Sequence, residues 1–83
     1  MVEIKIYTKT TCPYCIKAKM LLNKLNLKFE EISVNKQEDQ DSLIEKTGMM
    51  TVPQIFINDK LIGGCDDLYE MHDLGKLKEI IEK

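Results

Sequence analysis

The stretch "VEIKIYTKTTCPYC", residues 2–15, carries the reading of the whole chain. Val2, Ile4 and Ile6 alternate with Glu3 and Lys5, the period of a strand with one buried face. Two residues after the polar "KTT" comes Pro13, well suited to the first helical position: its φ already fits a helix, and the N–H it lacks would have gone unpaired there. Ala18, Leu21, Leu22 and Leu25 then recur at i, i+3, i+4 and i+7 and give the helix an apolar face, while Lys17, Lys19 and Lys24 can stay wet. A strand therefore leads directly into a helix, with Cys12 at the junction and Cys15 one turn inside.

Working outward, "LKFEEISV" (residues 27–34) reads as a second strand, and the slip in apolar phase between Phe29 and Ile32 predicts a bulge or a late start. "EDQDSLIEKTG" follows as a second helix, with acids in its first turn and Gly48 as its stop. "VPQIFI", the turn "NDK" and "LIGG" form a hairpin, and "CDDLYEM" opens a third helix with Asp66 and Asp67 near its start. Gly75 interrupts it before a last amphipathic turn carrying Leu77, Ile80 and Ile81. The predicted order is β-α-β-α-β-β-α-α. A βαβ unit makes its strands parallel and a hairpin makes its strands antiparallel, so the class is α/β with a four-stranded mixed sheet flanked by helices.

The 83 residues suit one small domain over residues 1–83, which buries only roughly 60–65% of its unfolded surface. With 43% apolar and 31% charged residues the chain is ordinary for a globular protein and too apolar for disorder. Net charge is −2, all the basic residues are lysines, and no basic block offers a footprint for nucleic acid. No run is apolar and long enough for a signal peptide or a membrane span, so the cytoplasm is the expected compartment, where a disulfide is more often catalytic than structural. The odd count of three cysteines, Cys12, Cys15 and Cys65, speaks against a fully paired framework.

The chemistry then rests on Cys12 and Cys15. A thiolate attacks disulfides, and a sulfur capping a helix start meets unpaired N–H groups and the positive end of the helix dipole. Acidifying a thiol gains ionised fraction and loses nucleophilicity, with a Brønsted slope of about 0.4–0.5; the clear gain is as a leaving group, which favours turnover of mixed disulfides. The alternative for C-x-x-C is half of a zinc site, with Cys65 and His72 as the available partners. Zinc pairs usually sit on turns and repeat a tight spacing, which a proline-led helix and the gap from Cys65 to His72 do not provide.

"YTKTTCPYC", "TVPQIFI" and "IGGCDDL", in this order and covering essentially the whole chain, resemble the dithiol glutaredoxins. The resemblance implies a thioredoxin-like fold and a glutathione-dependent thiol–disulfide oxidoreductase that reduces protein disulfides and protein–glutathione mixed disulfides. It implies glutathione as co-substrate, no tightly bound cofactor, no metal, and a monomer. By its pattern Cys12 is the attacking thiol and Cys15 the resolving thiol. Tyr14 packs beside the tripeptide, and a cis Val52–Pro53 bond lets Val52 pair with the peptide like an added strand, with Thr51 beside it. Lys9 and Gln40 meet the glycine carboxylate. The N–H groups at Asp66 and Asp67 take the γ-glutamyl carboxylate, and the Asp67 side chain takes its ammonium. Taken alone, Asp66 and Asp67 would be helix caps, Lys9 a solvated lysine and Gln40 unremarked. The chain departs from the pattern in having Met49 and Met50 where many relatives place a basic residue before Thr51. Cys65 is expected to be a packed small residue, His72 a surface residue, and Tyr7, Phe29, Phe56 and Tyr69 core or core-edge.

Two rivals use the same thiols. One is a donor to a single enzyme recharged by a thioredoxin-type reductase, which Tyr14, Thr51 and the Asp66–Asp67 pair disfavour. The other is a module holding zinc or an iron–sulfur cluster, which Pro13 and Cys15 disfavour.

Overall fold

Strand β1 (Ile4–Thr8) pairs in parallel with β2 (Glu30–Ser33) across helix α1 (Pro13–Lys24), as a βαβ unit requires. The structure is a computed structural model that describes residues 3–49 and 51–81; Val2 and Met50, both used in the sequence reading, lie outside them, as does the side chain of Ile81. Helix α2 (Gln37–Thr47) leads to β3 (Gln54–Ile57), which runs antiparallel to β1 and to β4 (Lys60–Gly63). Helices α3 (Cys65–Asp73) and α4 (Lys76–Ile81) complete the predicted order, and the sheet runs β2-β1-β3-β4.

The local signals behave as their chemistry dictates. Pro13 is the first residue of α1. Gly48 ends α2 in the left-handed conformation, φ 74°, with its N–H on the Ile44 carbonyl at 2.7 Å. Asn58 and Asp59 both have positive φ, 52° and 66°, the pattern of a two-residue hairpin turn whose twist matches the strands. The phase slip near Phe29 resolves as a late start: β2 begins at Glu30 and its register against β1 is unbroken. The sheet's irregularity lies instead in the hairpin, between Ile55 and Phe56.

Strand alternation divides the core in two. Ile4, Ile6, Ile55 and Ile57 face Ala18, Leu21 and Leu22 of α1, Leu68 of α3 and Leu77 of α4. Phe56 faces the other way, with Val34 and with Leu43 of α2, beneath the tilted Tyr7–Phe56 pair. All four residues of β3 are buried because both faces of this inner strand are covered. Phe29 and Tyr69 pack on the first cluster and His72 is exposed, as the sequence suggested. Ile6 has no exposed surface, so Ile6→Val leaves a methyl-sized void. We expect it to cost about 1 kcal/mol, read as a lower urea midpoint at unchanged slope.

One helix lysine departs from the simple amphipathic picture. Lys19 is half-buried, and its Nζ donates to Glu31 Oε2 at 2.8 Å; the buried Thr8 hydroxyl donates to the same oxygen at 2.7 Å. The Lys19 and Thr8 hydrogen bonds hold the Glu31 carboxyl below the usual carboxylate range. This trio ties α1 to β2 and to the end of β1, where the loop leading to Cys12 begins.

Candidate active site

The loop from Lys9 to Cys12 is held by Asn35. The Thr10 N–H donates to Asn35 Oδ1 at 2.9 Å, and Asn35 Nδ2 donates to Thr10 Oγ1 and Ser33 Oγ at 2.8 and 2.6 Å. The loop therefore delivers Cys12 to the tip of α1 from a fixed base. Cys12 is the N-cap, in extended conformation (φ −123°, ψ 104°), and its sulfur accepts the Cys15 N–H at 3.3 Å. The Ile16 N–H goes to the Cys12 carbonyl at 3.2 Å, so the sulfur takes a helix-tip donor without displacing the first intrahelical bond. The thiol also donates to the Val52 carbonyl at 3.7 Å, which brings the helix tip against the turn before Pro53. The Val52–Pro53 bond is cis, as the resemblance implied.

The two thiols differ sharply in exposure: Cys12 is part-exposed, whereas Cys15 retains 1% of its surface. Burial pushes the Cys15 thiol up to about 12; its hydrogen bond with Cys12 adds to the rise, while the Lys9 backbone N–H and the Lys19 charge oppose it. A part-exposed thiol thus lies against a shielded one.

The pH consequence follows from linkage. Folded Cys15 holds its proton more tightly than an unfolded cysteine at about 8.5, so its contribution to stability is complete below about 8.5 and is lost as pH climbs toward 12. Cys65, also raised by burial, acts with the same sign. Cys15→Ser is thus expected to flatten the alkaline decline in stability between pH 8 and 10, measured by urea unfolding; a decline as steep as in the parent would refute the shift.

Beside the thiols opens a cleft of about 310 Å³, lined by Tyr14, Met49, Thr51, Val52, Pro53, Gly64, Cys65, Asp66 and Asp67. Cys12 stands at its edge through Val52 rather than in its wall. Tyr14 is 60% exposed, a ring standing free over the cleft. Across from it α3 begins: Leu68 makes the first intrahelical bond to the Gly64 carbonyl at 3.0 Å, which leaves the preceding N–H groups pointing out of the helix start. Asp67 Oδ2 accepts the Gly64 N–H at 3.0 Å, so this carboxylate is a cap as well as a wall of the cleft.

Lys9 and Gln40 are brought together in a smaller cavity of about 10 Å³ with Met49, Thr51, Val52 and Gln54. It adjoins the cleft through Met49, Thr51 and Val52. Gln40 Nε2 donates to the Asn35 carbonyl at 3.3 Å, and among the described residues Lys9 forms no ion pair. Eight of the ten expected positions line the cleft or the smaller cavity, Cys12 stands at the cleft's edge, and Cys15 is buried behind it. Sequence reading passed over Asn35 and Gln54; a glutamine inside the apolar run "VPQIFI" was the available signal for the second.

The family model described as Glutaredoxin matches residues 4–62. This chain belongs to the glutaredoxin family. Glutaredoxin 1 of Rickettsia prowazekii (strain Madrid E) is 50% identical over 82 residues, covering 95% of this chain and 86% of that protein. Glutaredoxin 3 of Escherichia coli (strain K12) is 42% identical over 83 residues, covering 99% of this chain and 100% of the relative. Among solved structures, a buckwheat glutaredoxin–glutathione complex superposes with a TM-score of 0.85 at 37% identity, over 93% of this chain and 74% of that one. The four-stranded mixed sheet and its flanking helices are thus the thioredoxin-like fold of a glutaredoxin. As a member of this family the chain is a glutathione-dependent thiol–disulfide oxidoreductase.

Proposed function

We propose that this glutaredoxin reduces protein–glutathione mixed disulfides and protein disulfides, with Cys12 attacking and Cys15 resolving. The reading rests on one observation: the part-exposed Cys12 sulfur takes the Cys15 N–H at a helix tip, beside a cleft of peptide size. In the first reaction the Cys12 thiolate attacks the glutathione sulfur, the protein thiolate leaves, and Cys12 carries glutathione. A second glutathione attacks this bond, and glutathione disulfide departs with Cys12 restored as thiolate. With a protein disulfide, the Cys12 thiolate attacks one protein sulfur, the disulfide breaks and the other protein sulfur leaves as thiolate. Cys15 then gives up its proton and attacks Cys12, releasing the reduced protein and leaving a Cys12–Cys15 bond that two glutathiones reduce.

The cleft supports a binding mode in which Tyr14 flanks the tripeptide and Thr51, Val52 and Pro53 offer it an extended backbone. Lys9 supplies charge for the glycine carboxylate with Gln40 beside it, and the start of α3 at Asp66 and Asp67 receives the γ-glutamyl end. One Asp67 oxygen is engaged by Gly64; the other is the acceptor for the ammonium. On this reading glutathione is a co-substrate and no group is tightly held. The domain spans residues 1–83 and works as a monomer in the cytoplasm; no described helix is long and apolar enough to cross a membrane.

The test is turnover of a glutathionylated protein with glutathione against cysteine, both at equal thiolate concentration. Saturable turnover that prefers glutathione is the expected result. Equal, unsaturable rates with the two thiols would remove the binding role of the cleft.

A further inference from the structure

Gln54 is a buried polar residue that the chemistry above leaves unused. It retains 1% of its surface and opens β3 directly after Pro53. Its Nε2 donates twice, to the Met49 carbonyl at 3.0 Å and to the Thr51 carbonyl at 2.9 Å. Among the described residues its Oε1 has no hydrogen-bond partner. An amide that leaves its acceptor unpaired in the interior bears a desolvation cost that an apolar side chain of the same size would avoid. Both donors, meanwhile, go to one short segment. The side chain therefore acts on that segment more than it fills the core.

The segment is the one the cleft depends on. Met49 and Thr51 line both the cleft and the Lys9–Gln40 cavity, and Val52, next along, accepts the Cys12 thiol. Before it, the left-handed Gly48 ends α2, and Gln54 itself opens β3. Two carbonyls fixed from inside tie Met49 and Thr51 to the start of β3. Without them a bound peptide would have to order the turn itself, and that loss falls on affinity. The Cys12 sulfur is capped by its own helix, whereas the Gln54 hydrogen bonds go to Met49 and Thr51.

We propose that Gln54 is a positioning residue for glutathione recognition: its amide clamps the Met49 and Thr51 carbonyls so that the backbone at Thr51 and Val52 is preformed for the tripeptide. The inference rests on the binding mode proposed above. Gln54→Met keeps the volume and removes both donors; Gln54→Glu keeps the shape and faces the two carbonyls with acceptors. For a glutathionylated peptide substrate at saturating glutathione, KM is expected to rise roughly five- to tenfold in Gln54→Met and further in Gln54→Glu. Turnover number and the rate of Cys12 alkylation by iodoacetamide are expected to stay within about twofold, because the helix-tip cap is intact.

Variants are compared at a temperature where circular dichroism shows them folded. A KM within twofold of the parent in either folded variant overturns the proposal. So does a matched fall in turnover number and alkylation rate, which marks general damage, and so does failure of both variants to fold, which marks a structural role. A parent protein that shows no saturation with the glutathionylated peptide would instead bring down the binding mode itself.

Discussion

Cys12→Ser is expected to lower reduction of both glutathionylated proteins and protein disulfides by at least about a thousandfold, because a hydroxyl at this position cannot ionise near neutral pH or form the sulfur–sulfur intermediate. Cys15→Ser is expected to separate the two reactions. It leaves mixed-disulfide reduction within roughly fivefold of the parent and abolishes protein-disulfide reduction through the dithiol route. The asymmetry comes from placement. The Cys12 sulfur receives the Cys15 backbone N–H, and that donor survives when the Cys15 side chain is changed. Cys15 itself is buried with a thiol pushed up to about 12, so it contributes only once Cys12 has formed a mixed disulfide within its reach. The check is a pair of coupled assays, one with a glutathionylated protein and one with a protein disulfide, on both variants. Equal losses in Cys15→Ser would contradict the division of labour between the two sulfurs.

Gly63→Ala is expected to destabilise the fold by about 3 kcal/mol, lowering the thermal midpoint by more than about 10 °C. Gly63 has φ 133°, a region that side chains rarely adopt. A Cβ there would also lie 2.7 Å from Asp67 Cγ and 2.8 Å from Asp67 Cβ, with Asp67 Oδ2 closer still. Relief requires Asp67 to move, and its carboxylate is the acceptor for the Gly64 N–H at the start of α3. The strain and the lost cap therefore reach the wall of the cleft as well as the fold. Adding Asp67→Ala should recover part of the loss, since the contacts with the carboxylate go while the Cβ contact at 2.8 Å, the backbone strain and the lost cap remain; the two changes are non-additive because the residues touch. A Gly63→Ala protein within about 1 kcal/mol of the parent, by urea unfolding, would show that Asp67 yields freely.

Much of this site was legible before any coordinate. Pro13 after Cys12 already put one sulfur at a helix tip and the other one turn inside, because capping and helical spacing depend on neighbours in the chain. The mixed sheet was legible for the same reason: alternation in "VEIKIY", a helical face in Ala18 to Leu25 and a turn at Asn58 and Asp59 are local patterns with known geometric consequences. Lys9, Gln40, Thr51 and Asp67 could be named only through resemblance to a family, since a lysine or a glutamine read singly carries no address. Lys19 shows where local reading fell short. Its helical position suggested a solvated charge, yet it meets Glu31, which is far along the chain and close only after β2 has paired with β1.

The amino-acid order alone thus determined the succession of elements, the mixed sheet and the presence of a thiol pair at a helix start, all set by interactions over a few residues. The folded arrangement decided how deeply Cys15 is buried, that Asn35 anchors the loop before Cys12, that Lys9 and Gln40 converge on Thr51, and that Gln54 holds two carbonyls of the adjoining turn. These depend on which distant segments exclude water from one another and which donors are left facing which acceptors, and both are properties of packing in three dimensions.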